Sequence, residues 1–275
     1  MKQANQQKGR VIIAGAGPGD PELLTLKTAR FLQQAEVVIT DRLVSETILE
    51  NYVNKEALIL HVGKQCRKGA STPQSTINEL LVEYALQGKL VVRLKGGDVS
   101  IFSNILDELE ALKKHGVNCE IVPGVTAALG AAAYAGIPLT ARDHATAVRL
   151  LTFYKSNLLD RANWEELAKT DDTLVFYMSG DTSAELVQHL IDQGISNEKH
   201  IAVIEQATTP MQQVYSCNVH DYAEKWGNNH YVSPTLIIIG KVAALHQQFK
   251  WMENTGCREE YFAPLAKTKA ISVRA

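Results

Sequence analysis

Short apolar runs separated by longer amphipathic segments make up the first half of the chain. Each run is apolar at consecutive positions, which is typical of strands buried on both faces of a parallel sheet. Five such strands are predicted, over residues 11–15, 36–40, 57–62, 90–94 and 119–123. A one-sided apolar stripe after Pro73, ending at Gly88, predicts a helix between the third and fourth strands. This alternation predicts an α/β fold with a mostly parallel N-terminal sheet.

The second half has similar apolar runs but fewer helical segments between them. Its predicted strands are residues 148–154, 173–178, 201–207, 212–219 and 235–240. Because the later strands follow one another closely, we expect antiparallel pairs and a mixed C-terminal sheet. One helix has clear ends, since Thr182 and Glu185 have the spacing of a capping box and Gly194 marks a stop.

A polar segment near residues 140–147 predicts a domain boundary. We expect an N-terminal α/β domain over residues 10–143, a C-terminal α/β domain over 144–245 and a tail over 246–275. The tail combines charged residues with aromatic ones, so it is expected to pack on the body of the protein or on a partner.

Composition limits the class of protein. Of 275 residues, 45% are hydrophobic and 21% charged, and the formal net charge of −2 gives nucleic-acid binding no support. No apolar run approaches the ~20 residues that cross a bilayer, and the polar N-terminus lacks the apolar segment of a secretory signal. Widely spaced cysteines and histidines predict neither a disulfide framework nor a metal site. We therefore expect a soluble cytoplasmic protein without metal, nucleic-acid or membrane partners.

A glycine-rich turn, GAGPGD, follows the first predicted strand over residues 15–20. It is close to the dinucleotide-binding pattern G-x-G-x-x-G, but its third glycine comes one residue early. Pro18 removes an amide that a phosphate would need, and Asp20 adds a negative charge where the next helix is expected to begin. The turn therefore favours a neutral or cationic ligand over a phosphate. The alternative is a tight turn without a ligand.

Three further strand ends carry residues suited to ligand binding, because ligands of open α/β sheets lie where strands end. Gly96 and Gly97 permit close approach and Asp98 adds a carboxylate, unless Asp98 only caps a helix. The small residues over 124–135 would admit a flat ligand, unless they form an alanine-rich core helix. Met178 could contact an adenine or a thioether, although a core methionine is the commoner case.

Charged residues follow two of the early strands. Asp41 and Arg42 come after the second strand, and Lys64 comes after the third. An acid and a base at adjacent strand ends form either an acid/base pair or a solvent-exposed salt bridge. The sequence has neither a G-x-S-x-G turn nor a P-loop, which argues against a serine hydrolase and against phosphoryl transfer.

Six separated segments carry a family resemblance. They are GAGPGDPELLTLKTARFLQQAEVVITDRLVS, VGK, VVRLKGGD, VPGVTAALGAAAYAGIPLT, TLVFYM and SPTLIIIG. Together, and in this order, they resemble the tetrapyrrole methylases that use S-adenosylmethionine, and most closely the uroporphyrinogen-III C-methyltransferases. The similarity extends from Val11 to Val242.

The resemblance implies two α/β domains with the active site in the cleft between them, in a homodimer. It also implies two successive methyl transfers from S-adenosylmethionine to uroporphyrinogen III, with S-adenosylhomocysteine as the second product. The methylated ring would be precorrin-2, a precursor of siroheme and cobalamin.

Roles for individual residues follow from the same resemblance. Asp41 is similar to the proposed proton acceptor of the family, and Lys64 to the proposed proton donor. The positions similar to cofactor contacts are Pro18, Gly96, Gly97, Asp98, Ile101, Thr126, Ala127, Met178 and Ala207. The substrate is rich in carboxylates, for which the candidate cations are Arg42, Lys64, Arg67, Arg93, Arg142 and Arg149.

Two segments depart from the family pattern. After KGGD the family usually continues PFVFGRGGEE, whereas this chain has VSIFSNILDE, which places Asn104 at the arginine position. The family's TGH is replaced by TFYKSN, and we expect Lys155 in that segment to compensate for the missing arginine in substrate binding. Since both segments border the tetrapyrrole, two alternatives stay open: a methylase of a later corrinoid, and a cofactor-binding protein without turnover.

Overall fold

The computed structural model describes residues 8–63, 72–154 and 160–262. Within these ranges the chain forms two compact units, one containing the chain up to Thr126 and the other Ala127–Tyr261. No helix in the described ranges is long and apolar enough to cross a bilayer.

The first unit is built on a parallel sheet of five strands. They are β1 (Arg10–Gly15), β2 (Val37–Asp41), β3 (Leu58–Val62), β4 (Leu90–Lys95) and β5 (Asn118–Val122), arranged in the order β3-β2-β4-β1-β5. Every neighbouring pair is parallel. The helices of this unit are α1 (Leu26–Gln34), α2 (Glu46–Tyr52), α3 (Gln74–Leu86) and α4 (Ile105–Lys114). The five predicted strands, their parallel arrangement and the helix after Pro73 are confirmed.

Both faces of the three central strands, β1, β2 and β4, are buried, as the continuous apolar runs predict, whereas the edge strands β3 and β5 are more exposed. Ile13 and Ile39 belong to one apolar cluster, which includes Leu81 of α3. Ile12 and Val38, the residues next to them in sequence, belong to the cluster on the other face, which includes α1 and α2 residues. Successive strand side chains point to opposite faces, so both must be apolar when helices cover both faces.

The second unit contains a mixed sheet. Its strands are β6 (Val148–Thr152), β7 (Thr173–Tyr177), β8 (His200–Glu205), β9 (Gln213–Asn218) and β10 (Thr235–Gly240), in the order β6-β7-β10-β8-β9. The pair of β6 and β7 is parallel and the other pairs are antiparallel, which confirms the expected mixed sheet. Its helices are α5 (Ala127–Tyr134), α6 (Arg161–Lys169), α7 (Ser183–Asp192), α8 (Tyr222–Trp226) and α9 (His246–Phe249).

The division between the units lies at Thr126 and Ala127, earlier than the expected boundary at 143/144. Helix α5 groups with the second unit because its buried alanines share an apolar cluster with Val175 and Ile238 of that sheet. The alanine-rich segment is thus a core helix. Residues 246–261, expected as part of a tail, also group with this unit, where Trp251 Nε1 donates to the Ala133 carbonyl at 2.9 Å.

Two helix starts differ from the sequence expectation. Asp20 caps a short 3-10 turn (Pro21–Leu23), accepting a hydrogen bond from the Glu22 amide at 2.8 Å, while α1 begins later with Thr25 as its cap. The charge of Asp20 therefore does not lie at the start of α1. The capping box at Thr182 is wrong: its hydroxyl makes no capping bond and donates to the Phe153 carbonyl at 2.6 Å. A nearby tertiary acceptor outcompetes the local cap there.

Two glycines at the carboxyl ends of β1 and β5, Gly15 and Gly124, are required by close backbone contact, and the carbonyl of Gly97 after β4 lies against both. A Cβ added to Gly15 would lie 2.7 Å from the Gly124 Cα. A Cβ added to Gly124 would lie 2.3 Å from the carbonyl oxygen of Gly97. Atoms that close must move, and here the neighbours are backbone, which cannot yield as a side-chain end can. The three loops therefore pack as one unit.

Gly124→Ala is expected to destabilise the first unit by about 3 kcal/mol, the upper end of the usual cost of overpacking. The matched control is Gly194→Ala, where a Cβ meets nothing within 4 Å but φ is +78°. The control should cost about 1 kcal/mol for the left-handed backbone alone. Thermal unfolding by far-UV circular dichroism measures both. All three tryptophans, Trp164, Trp226 and Trp251, lie in the second unit. Their fluorescence should therefore change less than the circular dichroism signal when the destabilised first unit of Gly124→Ala unfolds. Equal costs for the two variants would contradict the packing argument.

Candidate functional site

The glycine turn after β1 is joined to the turn after β4 by their backbones. The Gly17 amide donates to the Gly97 carbonyl at 3.1 Å, and the Gly97 amide donates back to Gly17 at 2.7 Å. The Ala16 amide donates to the Lys95 carbonyl at 2.8 Å. A phosphate-binding turn keeps its amides unpaired for the ligand. Because the amides of Ala16 and Gly17 are already paired and Pro18 has none, the turn is poorly suited to holding a phosphate.

Asp98 links two of these loops. Its Oδ1 accepts the Ser100 amide at 2.8 Å, and its Oδ2 accepts the Gly124 amide at 2.9 Å. Both oxygens are engaged by backbone amides, so Asp98 supports the site by fixing the loop after β5, which leads to the half-buried Thr126. It does not cap a helix.

Gly96 permits close approach of the chain itself. A Cβ at this position would lie 2.8 Å from the carbonyl oxygen of Leu43, in the segment that follows β2. The glycine is therefore explained by packing of the loop after β4 against the loop after β2. This contact also brings the end of β2, where Asp41 lies, next to the glycine loops.

A buried ion cluster lies beneath Asp41. The Arg93 guanidinium donates to Asp41 Oδ1 at 2.5 Å through Nη2 and to Glu108 Oε1 at 2.9 Å through Nε. Lys95 Nζ also donates to Glu108 Oε1 at 2.9 Å. Arg93 is 2% exposed and Glu108 0%, so this cluster, defined here as Asp41, Arg93, Lys95 and Glu108, is largely removed from water. Its two positive and two negative side chains balance in charge.

Burial and mutual charge act in opposite directions within this ion cluster. Burial alone would lower the pKa of Arg93, but the charges of Asp41 and Glu108 outweigh it and raise that pKa above its ordinary value. Burial and the neighbouring Arg93 lower the pKa of Lys95. Among the described residues, Glu108 Oε2 is buried without a hydrogen-bond partner. Because Arg93 is buried and paired with Asp41 and Glu108, it is not available to bind a substrate carboxylate.

Asp41 is the member of the ion cluster that reaches the surface. Its side chain is 26% exposed at the end of β2, and Arg93 holds its Oδ1. Half-buried Arg42 follows it directly. Lys64, the predicted proton donor, lies outside the described residues, so the expected pairing of acid and base stays a prediction. Lys155 and Arg67 lie outside them as well.

The segment after Asp98 has an unusual backbone. Phe102 and Asn104 have left-handed φ values of 50° and 53°, a region that non-glycine residues seldom adopt. Asn104 is exposed and precedes α4 without making a capping bond, while Ile101 is half-buried. Asparagine tolerates this conformation better than arginine does, which gives a local reason for Asn104 at this position.

In the second unit, the predicted cofactor positions also border left-handed residues. Met178 directly follows β7 with φ 56° and is 56% exposed, so it is not a core methionine. Ala207 is flanked by Gln206 (φ 46°) and Thr208 (φ 66°) in the loop after β8. Such conformations cost energy and concentrate at functional sites. Ala127, the remaining predicted position in this unit, begins α5.

Arg149 is already engaged within the second unit. Its Nε donates to Asp172 at 2.5 Å and its Nη1 to Glu166 at 2.7 Å. These two carboxylates raise the pKa of Arg149. The paired guanidinium favours a structural role, whereas Arg142 is exposed in a turn. Among the described residues, no group of three histidine, cysteine, aspartate or glutamate side chains is arranged to hold a metal ion.

The comparison with known proteins agrees with this arrangement. Residues 10–223 match the family Tetrapyrrole (Corrin/Porphyrin) Methylases. The chain belongs to this family. This tetrapyrrole methylase is 46% identical to siroheme synthase 2 of Aeromonas hydrophila over 252 residues, which cover 91% of this chain and 53% of that protein. It is 44% identical to the siroheme synthase of Nitrosomonas europaea, covering 90% and 52%. The chain thus spans about half the length of the curated relatives it matches.

Solved structures extend the comparison. A uroporphyrin-III C-methyltransferase from Thermus thermophilus, complexed with S-adenyl homocysteine, is 34% identical with a TM-score of 0.72, covering 86% of this chain and 100% of that one. A cobalt precorrin-4 methyltransferase is 29% identical with a TM-score of 0.75, covering 85% and 95%. These structures confirm the tetrapyrrole methylase fold expected from the sequence.

The ion cluster of this tetrapyrrole methylase yields a stability prediction. Glu108→Gln should destabilise the first unit by about 3–5 kcal/mol, because it leaves two buried cations with one carboxylate between them. The matched control is Glu166→Gln, which removes a carboxylate that is 62% exposed from Arg149 and should cost about 1 kcal/mol or less. Urea unfolding followed by circular dichroism measures both. A small effect of Glu108→Gln, similar to the control, would show that the cluster does not depend on charge balance.

Proposed function

We propose that this tetrapyrrole methylase transfers methyl groups from S-adenosylmethionine to carbons of uroporphyrinogen III, giving precorrin-2 by two successive reactions. The observation that carries the proposal is the placement of Asp41. This carboxylate is partly exposed and fixed by Arg93, at a strand end that contacts glycine turns unsuited to phosphate. The relatives named siroheme synthase and the Thermus thermophilus C-methyltransferase support the same reaction.

The residues present fit S-adenosylmethionine. The loops over 15–20, 96–101 and 122–126 contain no lysine or arginine and carry the carboxylates of Asp20 and Asp98. Such loops suit a cationic sulfonium better than an anionic nucleotide. In the first unit the residues proposed to hold the cofactor are Pro18, Gly96, Gly97, Asp98, Ile101 and Thr126. In the second unit they are Ala127, Met178 and Ala207.

When bound, S-adenosylmethionine supplies an electrophilic methyl group on sulfur. The contribution proposed for the protein is to align the accepting carbon and to remove a proton, since alignment supplies much of the rate in displacement reactions. Asp41 takes a pyrrolic proton with the carboxylate oxygen that Arg93 does not hold, which makes the ring a better nucleophile. Lys64 is proposed to return a proton, by resemblance to the family.

Arg93 and Arg149 are engaged by carboxylates of their own units, so we do not assign them to the substrate carboxylates. The proposed contacts to those carboxylates are the half-buried Arg42, the amide of Asn104 and Lys155, with exposed Arg142 as a further candidate. By resemblance to the family, we also propose that the protein is a homodimer and that it is cytoplasmic. Size-exclusion chromatography with light scattering tests the homodimer.

A methylase of a later corrinoid is the second candidate. It is favoured by the cobalt precorrin-4 methyltransferase structure, whose TM-score of 0.75 is as high as those of the C-methyltransferases, and by Asn104 at the family's arginine position. Mass spectrometry of the products after incubation with uroporphyrinogen III and S-adenosylmethionine separates the candidates. Precorrin-2 supports the proposal, and unmodified uroporphyrinogen III contradicts it.

The cofactor assignment predicts ligand selectivity. S-adenosylhomocysteine should bind with a dissociation constant in the micromolar range, ~8 kcal/mol, because the loops suit an adenosyl thioether without phosphates. NAD should not bind, since the amides of Ala16 and Gly17 are paired within the protein and Pro18 has no amide to offer its pyrophosphate. Isothermal titration calorimetry measures both. Binding of NAD without binding of S-adenosylhomocysteine would sink the proposal.

Asp41→Asn should lower turnover by about 100-fold or more, the usual scale for loss of a general base. The amide keeps an oxygen that can accept from Arg93, so affinity for S-adenosylhomocysteine should stay within about twofold of the parent. Stability should fall by less than in Glu108→Gln, because the lost charge is 26% exposed and the charge of Glu108 is fully buried. The matched control is Asp107→Asn, an exposed carboxylate in the first turn of α4. Rates come from the initial formation of methylated product. If Asp41→Asn turns over like the parent, Asp41 is not the base.

A further inference from the structure

The segment Asn254–Tyr261, called the strap below, lies beyond the residues that match the family, 10–223. It is held on the second unit by amide side chains. The Asn254 side chain pairs with strand β9 as a neighbouring strand would, accepting from the Val214 amide at 2.8 Å and donating to the Val214 carbonyl at 3.0 Å. Gln213 Nε2 donates to Thr255 Oγ1 at 2.8 Å and to the Cys257 carbonyl at 3.2 Å.

The far end of the strap is held by Gln206. Its Nε2 donates to the Glu259 carbonyl at 2.9 Å, and its Oε1 accepts the Tyr261 amide at 2.7 Å. Gln206 is 0% exposed, so both ends of its amide are satisfied by the strap backbone in a buried setting. A side-chain amide left unpaired there would lower the stability of the fold by its full desolvation free energy. The strap and Gln206 therefore stabilise each other.

Gln206 also begins the loop that contains Ala207. The backbone of this loop is left-handed at Gln206 and at Thr208, which ordinary side chains adopt at an energetic cost. Further bonds hold this shape: the Gln206 amide donates to the Pro234 carbonyl at 2.8 Å, and the Thr208 amide donates to Gln212 Oε1 at 2.8 Å. A glycine at 206 would relieve the backbone cost but could not reach the strap. The bonds of the Gln206 side chain thus offset an unfavourable backbone.

We propose that the strap is part of the cofactor site. Gln206 is then a positioning residue, because the strap fixes Gln206 and Gln206 fixes the position of Ala207. This inference rests on the proposed function, in which Ala207 contacts S-adenosylmethionine. The strap fixes the loop after β8 in its left-handed shape before the ligand arrives, so the bound conformation is preorganised. Without this tether the loop samples other shapes, and the apparent affinity for the cofactor falls in proportion to the population of the binding-competent shape.

The test compares two substitutions at one position. Gln206→Leu removes the tether and keeps the backbone cost, whereas Gln206→Gly removes the tether and relieves that cost, so that at least one variant should fold. Each folded variant is expected to bind S-adenosylhomocysteine about tenfold more weakly by calorimetry. The Michaelis constant for S-adenosylmethionine should rise by the same factor, with kcat and the Michaelis constant for uroporphyrinogen III within twofold. Hydrogen exchange should accelerate at residues 206–212 and in the strap, and not in β7.

The matched control is Gln247→Ala. Gln247 Nε2 donates to Ser216 Oγ of β9 at 2.8 Å, so its side-chain amide holds β9 and not the loop after β8. This variant should bind S-adenosylhomocysteine like the parent. If a folded Gln206→Gly binds the cofactor like the parent, or if kcat falls while the Michaelis constant for S-adenosylmethionine stays unchanged, the inference is overturned. Failure of the parent chain itself to bind S-adenosylhomocysteine would instead overturn the proposed function.

Discussion

The first unit depends on backbone contact among the three loops that follow β1, β4 and β5. Strand order places β1 between β4 and β5, so Gly15, Gly97 and Gly124 meet at one edge of the sheet, with no room for a side chain at Gly15 or Gly124. The same contact pairs the amides of Gly17 and Gly97 with each other. The packing of the loops therefore affects which ligand they can bind, because amides that hold the loops together cannot also hold a phosphate.

The buried ion cluster gives Asp41 a rigid support. A base on a flexible surface side chain would spend much of its time misplaced, whereas Arg93 holds Asp41 from beneath and is itself held by Glu108. The charges of the cluster balance, so the interior tolerates them. In the proposed mechanism, Arg93 would therefore orient the base and would not contact the substrate, a distinction that the sequence alone does not make.

Sequence patterns predicted the ten strands because continuous apolar runs have few other uses in an α/β fold. They also pointed to Asp41, which follows a buried strand. They missed Glu108 as its indirect support, although Arg93 within the apolar run LVVRL was a signal that a buried carboxylate would be needed. Which carboxylate pairs with Arg93 depends on how α4 packs against the sheet, and a single sequence does not show this packing.

Local motifs were less reliable than periodicity. Asp20 capped a turn as expected, but the turn was a 3-10 element and α1 began at Leu26. Thr182 bonded to a distant carbonyl in place of its own helix. The left-handed backbone at Met178 and Gln206 had no signal at all, because neither residue type favours it. At Thr182 and Gln206 a tertiary contact outweighed a local preference.

The pairing of Asn254 with Val214 has a consequence for association between chains. Strand β9 is at the edge of its sheet, and an edge strand offers unpaired amides and carbonyls to any other extended chain. The side chain of Asn254 occupies one donor and one acceptor of that edge without adding a strand of its own. Val214 is therefore unavailable for strand addition, which opposes edge-to-edge association at this point of β9.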